Sequence, residues 1–246
     1  MNRSAIAVFT AGLLALSLLM PLASTAAGGD KKVKEFITGI VAAYGGEKAV
    51  RDAKRVYATG RITAYMRGDT GTYTRWLDRD GRKLRVETRY TKSSETRMLS
   101  GKHGRRGMDG DVEDVTGFQY LAMVYQYKQQ DLIYGLMTGR YKVRYDQPVT
   151  DGAMTVEAFN IEDAEGPPMS MYVDPKTMHI LEIEGRFNVN GQSATLSAQF
   201  SDFRKVKGLL VPYRIKNFGT GGVEIGETNI LKYEINGKME PTLFKE

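Results

Sequence analysis

The chain has 246 residues, 35 Lys and Arg against 29 Asp and Glu, a formal net charge of +6 and no cysteine. The lack of cysteine excludes a disulfide framework, so stability must come from a hydrophobic core. The small positive excess contains no long run of like charges, which favours solubility and gives no indication of a nucleic-acid partner.

The N-terminal residues have the pattern of a secretory signal peptide. Arg3 precedes an uncharged apolar run that ends at Pro21, and small residues follow to Ala27. A retained membrane anchor is the alternative, but a spanning helix needs ~20 apolar residues, and the small residues favour cleavage. We expect residues 1–27 to be removed on export to the periplasm and residues 28–246 to form a single domain.

The mature chain begins with a predicted helix. Its apolar residues recur at helical spacing and the pattern stops at Gly45. The face consists of Val33, Phe36, Ile37, Ile40, Val41 and Tyr44. From Val56 the period changes to two, which predicts strands.

Residue pairs suited to type I′ turns divide the remainder into antiparallel hairpins. They are Asp80-Gly81, Asp109-Gly110, Asp151-Gly152, Asn190-Gly191 and Asn236-Gly237. About ten or eleven strands result, enough for a sheet to curl, split or close.

One stretch between Gly117 and Gly135 lacks turn signals, and its apolar residues do not alternate. They follow helical spacing instead, which predicts one or two helices inserted between the strands. The order of elements predicts an α+β protein whose helices pack on one face of a large antiparallel sheet.

The residues of a catalytic or metal site are not grouped in this sequence. His103 and His179 lie far apart, and neither a nucleophile elbow nor a phosphate-binding glycine loop is present. The acidic cluster from Asp109 to Asp114 lacks the glycine and glutamate of a calcium loop. We therefore predict a protein that is not an enzyme and has no metal or other cofactor.

The chain contains 12 methionines, and Met169, Met171 and Val173 share one strand face. Methionine packs irregular cores and also lines adaptable binding surfaces. Ordinary core packing and a ligand-lined cavity are both open at this point.

Four segments resemble the LolA/LolB-like superfamily of exported bacterial proteins, whose members include outer-membrane lipoprotein carriers. They are VKEFITGIVAAYGGEKAVRDAKRVYATGRI, GRRGMDGDVEDVTG, YVDPKTMHILEIEG and FSDFRKVKGLLVPYRI. The resemblance implies an open half-barrel of about eleven antiparallel strands, with helices covering its concave apolar face. It also implies a non-enzymatic carrier that binds a lipid or lipoprotein acyl chain in that hollow.

The resemblance further implies a lid from Phe118 to Met137. Its inward residues would be Leu121, Tyr125, Leu132 and Leu136, which would face Trp76, Val86, Met98, Met171 and Phe200 of the sheet. The sheet residues are assigned from strand parity, which a one-residue register shift would invert. Arg61 is a candidate for the basic residue that latches such a lid.

The expected role is that of a monomeric periplasmic carrier that moves a lipid or an acylated lipoprotein towards the outer membrane. Donor and acceptor proteins in the inner and outer membranes would be its partners. The alternative is an envelope sensor or interaction domain of the same fold that binds a peptide or a partner protein.

Pro212 interrupts an alternating strand, LLVPYRI, near the C-terminus. Proline cannot donate a ladder hydrogen bond, so this residue predicts an edge strand or a bulge.

Overall fold

The computed structural model describes residues 24–151, 154–240 and 242–244. The predicted signal peptide therefore lies outside the described residues as far as residue 23, and residues 24–27 begin the first helix. None of the described helices is both long enough and apolar enough to cross a membrane.

The described residues form three α-helices, two 3₁₀ turns and thirteen strands. The helices are α1 (Ser24–Ala43), α2 (Gly46–Asp52) and α3 (Gly117–Met137), and the 3₁₀ turns are Tyr65–Arg67 and Thr220–Gly222. The strands are β1 (Arg55–Ala64), β2 (Asp69–Asp78), β3 (Lys83–Tyr90), β4 (Ser94–Ser100), β5 (His103–Met108), β6 (Asp111–Val115), β7 (Lys142–Asp151), β8 (Met154–Glu162), β9 (Met169–Val173), β10 (Ile180–Val189), β11 (Gln192–Val206), β12 (Leu209–Phe218) and β13 (Glu224–Ile235).

All the described strands belong to one antiparallel sheet that does not close on itself. Its order is β6-β5-β4-β3-β2-β1-β13-β12-β11-β10-β9-β8-β7. The chain runs by hairpins from β1 to the edge strand β6, crosses the sheet as α3, and returns from the other edge strand, β7, to β13 beside β1. The predicted α+β open half-barrel is confirmed, with thirteen strands in the described part rather than about eleven.

Left-handed backbone at the hairpin tips fixes the register of neighbouring strands. Asp109 and Gly110 have φ of 55° and 108°, and Asn190 and Gly191 have 53° and 81°. Consecutive positive φ values are the requirement of a type I′ turn, which matches the twist of the flanking strands. These two predicted turns are confirmed.

The helices α1 and α3 lie on the same face of the sheet, here called the inner face. The predicted face of α1 is the buried one, and the ring of Phe36 lies 5.1 Å from that of Phe159 on β8. On α3, Tyr125 and Met123 contact Gly185 of β10 and Gly104 of β5. The core therefore lies between the inner face and these two helices.

Pro212 occupies neither an edge nor a bulge. Its strand, β12, lies between β11 and β13, and its register with β11 continues without a shift through Pro212. In the described residues, however, the pairing of β12 with β13 ends at Arg214. Residues 209–213 of β12 run in register with β11 but do not pair with β13, and we call this stretch the seam.

Other groups bridge the seam where the strand ladder is interrupted. The Leu210 amide donates to the carbonyl of Tyr44 at 3.1 Å. The hydroxyl of Tyr233 donates to the Pro212 carbonyl at 2.8 Å. Proline is tolerated inside this sheet because β13 does not pair with this stretch of β12. No ladder hydrogen bond from residue 212 to β13 is therefore lost.

Candidate functional site

A cavity of about 310 Å³ lies between α3 and the inner face. This volume is at the lower end of the ~300–1,000 Å³ usual for small-molecule sites. The helix contributes Phe118, Ala122, Met123, Tyr125 and Gln126 to the walls, and the sheet contributes Ile62, Tyr73, Leu196, Ile215 and Thr228. The walls combine apolar side chains with a similar number of polar ones, among them Gln126 and Thr228.

A second cavity, of about 70 Å³, lies further along α3 and beside the seam. Its walls include Arg75, Leu132, Phe200, Val211 and Tyr233. Gln129 and Gln130 of α3 line both cavities, so the two spaces are neighbours along the same helix.

Three of the residues predicted for the site line these cavities. Tyr125 lines the larger one, and its hydroxyl donates to the carbonyl of Ile183 at 2.8 Å. Leu132 and Phe200 line the smaller one.

Four other predicted residues lie in or against the core between the helices and the inner face. Val86, Leu136 and Met171 are buried members of this core, and Leu121 packs against it while remaining partly exposed. They lie between the helices and the sheet, where they support the cavities rather than line them.

Trp76 and Met98, which were predicted to face inward, lie on the outer face of the sheet. Trp76 pairs with Tyr57 on the outer face, where their rings lie 5.6 Å apart. Met98 pairs with Arg85 on that same outer face and is covered there, because the Arg85 guanidinium donates to the Leu243 carbonyl at 2.9 Å. The prediction takes Trp76 and Met98 as the inward residues of their strands, whereas Arg75, Leu77, Arg97 and Leu99 hold those positions.

The inward positions of these strands carry charged residues among buried apolar ones. Antiparallel pairing places Arg75, Val86, Arg97 and Arg106 in one row across the inner face of β2 to β5. The sequence contained a signal for this parity, since Leu77 shares the parity of Arg75 and Leu99 that of Arg97. Both leucines are buried.

The arginines nearer the sheet edge have a carboxylate partner. Glu95 contacts Arg106 at 2.8 Å, Arg97 at 3.6 Å and Arg67 at 3.9 Å. Glu95, Arg97 and Arg106 also line the larger cavity, so one of its walls is strongly polar.

Arg79 joins the sheet to the helices at the end of β2. Its guanidinium donates to the carbonyls of Val50 at 3.2 Å, Ala53 at 2.5 Å and Gln130 at 3.4 Å. It also lies 3.4 Å from the carboxylate of Asp131, which is fully buried on α3 and pairs with Arg140 as well. Arg79 therefore connects β2, α2 and α3.

Two further contacts fasten α3 to the loop between β8 and β9. The buried ammonium of Lys128 pairs with Asp163 and donates to the Glu165 carbonyl. The Glu165 carboxylate accepts from the hydroxyl of Tyr120 and pairs with Arg82 at 2.6 Å. Burial raises the pKa of Tyr120 to about 12, with the Glu165 hydrogen bond adding to the shift, so the hydroxyl remains a donor.

Arg61, the candidate for a latching residue, lies elsewhere. It is exposed on the outer face, where it pairs with Thr72 and Asn229. The cationic groups that connect α3 to distant parts of the chain are Arg79, which contacts Asp131, and Lys128, which contacts Asp163.

Within the ranges that the structure describes, no group of three or more His, Asp or Glu side chains could hold a metal ion. The arrangement is thus a hollow covered by a helix, with a lining of mixed polarity, a charged wall and buried ion pairs that hold the helix.

No protein-family model matches the sequence, and no curated protein matches it. Solved structures do match the fold. A putative outer membrane lipoprotein-sorting protein domain from Vibrio parahaemolyticus has a TM-score of 0.56 and 11% identity, over 90% of this chain and 97% of that one. A LolA superfamily protein from Nitrosomonas europaea has a TM-score of 0.54 and 12% identity, over 86% and 97%.

A DUF1329 family protein from Desulfovibrio piger is similar to the same degree, with a TM-score of 0.56 and 10% identity over 87% of this chain and 97% of that one. The protein described here therefore has a LolA-like fold, as its sequence predicted.

Proposed function

We propose that the protein is a non-enzymatic periplasmic carrier that holds the acyl chain of a lipid or lipoprotein between α3 and the sheet. The supporting observation is the cavity of about 310 Å³ under a single helix, with apolar residues from both sides in its walls. The signal-peptide pattern of the N-terminus supports export to the periplasm.

The need for such a carrier follows from the cost of exposing hydrocarbon. Each CH₂ group transferred from an apolar site to water costs ~0.8 kcal/mol, so an acyl chain crosses an aqueous compartment only inside a sheath. The similarity to a lipoprotein-sorting domain and a LolA superfamily protein supports cargo of this class.

The first test is to look for cargo. Protein purified from its native periplasm is analysed by native mass spectrometry, and we expect an added mass that lipid extraction identifies as an acylated molecule. After delipidation, an added long-chain lipid should raise the melting temperature, because a ligand that binds only the folded state stabilises it. An unchanged mass and melting temperature would contradict the proposal.

A second test blocks the cavity from the helix side. Ala122 is a small residue in the cavity wall, so Ala122→Trp should fill the space and reduce the lipid-induced rise in melting temperature by more than half. Lys34→Trp, at an exposed position of α1, is the matched control and should keep the full rise. Equal behaviour of the two variants would place the lipid outside the cavity.

The same preparation tests the alternative role. Recovery of a stable protein partner from periplasmic extract, with no lipid bound and no lipid effect on melting, would favour an interaction domain over a carrier.

A further inference from the structure

Arg75 is a buried cation on the inner face of β2. Its side chain and backbone together are only 2% exposed, and it lines the smaller cavity. Within the described part of the chain, its Nε and Nη1 atoms have no hydrogen-bond partner. Its guanidinium lies 5.6 Å from the centre of the Tyr233 ring, a contact with an aromatic face rather than with an anion.

A cation in this position is costly. Removing an ion from water costs several kcal/mol unless a counter-charge and hydrogen bonds compensate. Arginine does not escape this cost by losing its proton. Burial lowers the pKa of Arg75, but the hydroxyls of Tyr73 and Tyr233 outweigh that effect, and the net pKa is raised.

The other arginines of the same row are compensated. Arg97 and Arg106 share Glu95, whereas no ion pair with a described carboxylate involves Arg75. The deepest arginine of the row is therefore the one without a counter-charge, and it borders an empty space.

From this geometry we propose that Arg75 binds the anionic headgroup, a carboxylate or phosphate, of a single-chain amphiphile whose tail lies in the larger cavity. This inference rests on the proposed function and adds the headgroup class and the orientation of the ligand. The guanidinium is a planar fork that matches carboxylate and phosphate oxygens in pairs.

The two cavities allow this orientation. The headgroup would occupy the smaller cavity beside Arg75 and Tyr233, and the tail would pass Gln129 and Gln130 into the larger one. There the walls include Ile62, Leu196 and Ile215. The ligand would thus lie with its charged end towards Arg75, which pairs with no described carboxylate on this part of the inner face.

The test compares dodecanoate with dodecanol, which has the same tail and no charge. Binding to delipidated protein is measured by calorimetry at a pH where the acid is ionised. We expect dodecanoate to bind about tenfold or more tightly than dodecanol, since hydrogen bonds to charged groups contribute more than neutral ones. Dodecyl phosphate should share the preference.

Arg75→Met removes the charge while keeping much of the side-chain volume. We expect it to bind dodecanoate and dodecanol equally, and to melt at the same temperature as the ligand-free wild type or higher, because a buried unpaired charge is gone. Arg61→Met, an exposed arginine of the outer face, is the matched control and should keep the acid preference.

Each of the other possible outcomes would overturn a stated part of the proposal. Equal binding of acid and alcohol by the wild type would overturn the headgroup inference and leave the carrier proposal intact. Binding of neither would overturn both. Acetate or inorganic phosphate binding as tightly as the long-chain anions would overturn the amphiphile and leave a plain anion site. An Arg75→Met variant that melts lower yet keeps the acid preference would show a purely structural arginine.

Discussion

At the scale of single residues, the position of the lid depends on Gly185. An added Cβ at this residue would lie 2.7 Å from the ring of Tyr125, closer than real Cβ contacts allow. The glycine lets the aromatic ring of α3 rest directly on β10, where its hydroxyl reaches the Ile183 carbonyl.

Gly185→Ala should therefore lower the free energy of unfolding by roughly 1–3 kcal/mol, the usual cost of overpacking a core. Urea denaturation provides the measurement. Because the clash is with one ring, the same substitution in a Tyr125→Leu background should cost clearly less, which a double-mutant cycle detects. Equal costs in the two backgrounds would mean that Gly185 serves another purpose.

The residues also show where the sequence was informative. Tyr125, Leu132 and Phe200 could be placed at the cavities because helical spacing and an apolar strand agreed with their environment. Trp76 and Met98 could not, because parity rules assume an apolar interior. On β2 and β4 the inner face contains Arg75, Glu95 and Arg97, and a parity rule assigns charged residues to the solvent.

At the scale of elements, α3 is an insertion fastened by ion pairs. Its predicted extent, Phe118 to Met137, differs by one residue from the observed Gly117–Met137. The ion pairs that hold α3 could not be predicted. Asp131 pairs with Arg79 at the end of β2, and Lys128 pairs with Asp163 in the loop after β8. Periodicity reveals which face of a helix is buried but not its distant charged partners.

Asp131 makes this fastening sensitive to pH. Burial raises the pKa of Asp131 to about 6 from its ordinary value of 3.8, although Arg140 and Arg79 act in the opposite direction. A group whose pKa is higher in the folded state contributes stability that is complete below its unfolded value and is lost as the pH rises through its folded value.

We therefore expect the wild type to lose stability relative to Asp131→Asn as the pH rises from about 4 to about 7. Urea denaturation of both proteins across this range measures the difference in their free energies of unfolding, which cancels the titration of other groups. A difference that is constant, or that grows in favour of the wild type, would contradict the raised pKa.

At the scale of the whole molecule, an open sheet must protect its two edges. The edge strand β6 carries Asp111, Glu113 and Asp114, all exposed, and the other edge strand, β7, carries Pro148 at a bulge. Charges, proline and bulges at an edge discourage pairing with a second chain.

Replacing Asp111, Glu113 and Asp114 with threonine should expose an uncharged strand of high β propensity, and dimers or larger species should appear in size-exclusion chromatography with light scattering. A matched variant that replaces Glu47, Asp52 and Asp80 changes the net charge equally at exposed positions on or next to α2 and β2, and should keep the wild-type size distribution. Association of both variants to the same extent would point to net charge rather than to the edge.

The seam at Pro212 separates the strands of the described sheet into two groups. Seven strands, β6 to β13 in sheet order, lie on one side of it and six, β12 to β7, on the other. The strand ladder between the two groups is limited to Arg214–Phe218 and Glu224–Asn229, and side-chain bonds such as that from the Tyr233 hydroxyl to the Pro212 carbonyl add to it. A change in the angle between the two groups would therefore break fewer ladder hydrogen bonds here than between β1 and β2, whose ladder runs over all of Arg55–Ala64, so we expect the sheet to bend more easily at this junction than at that one.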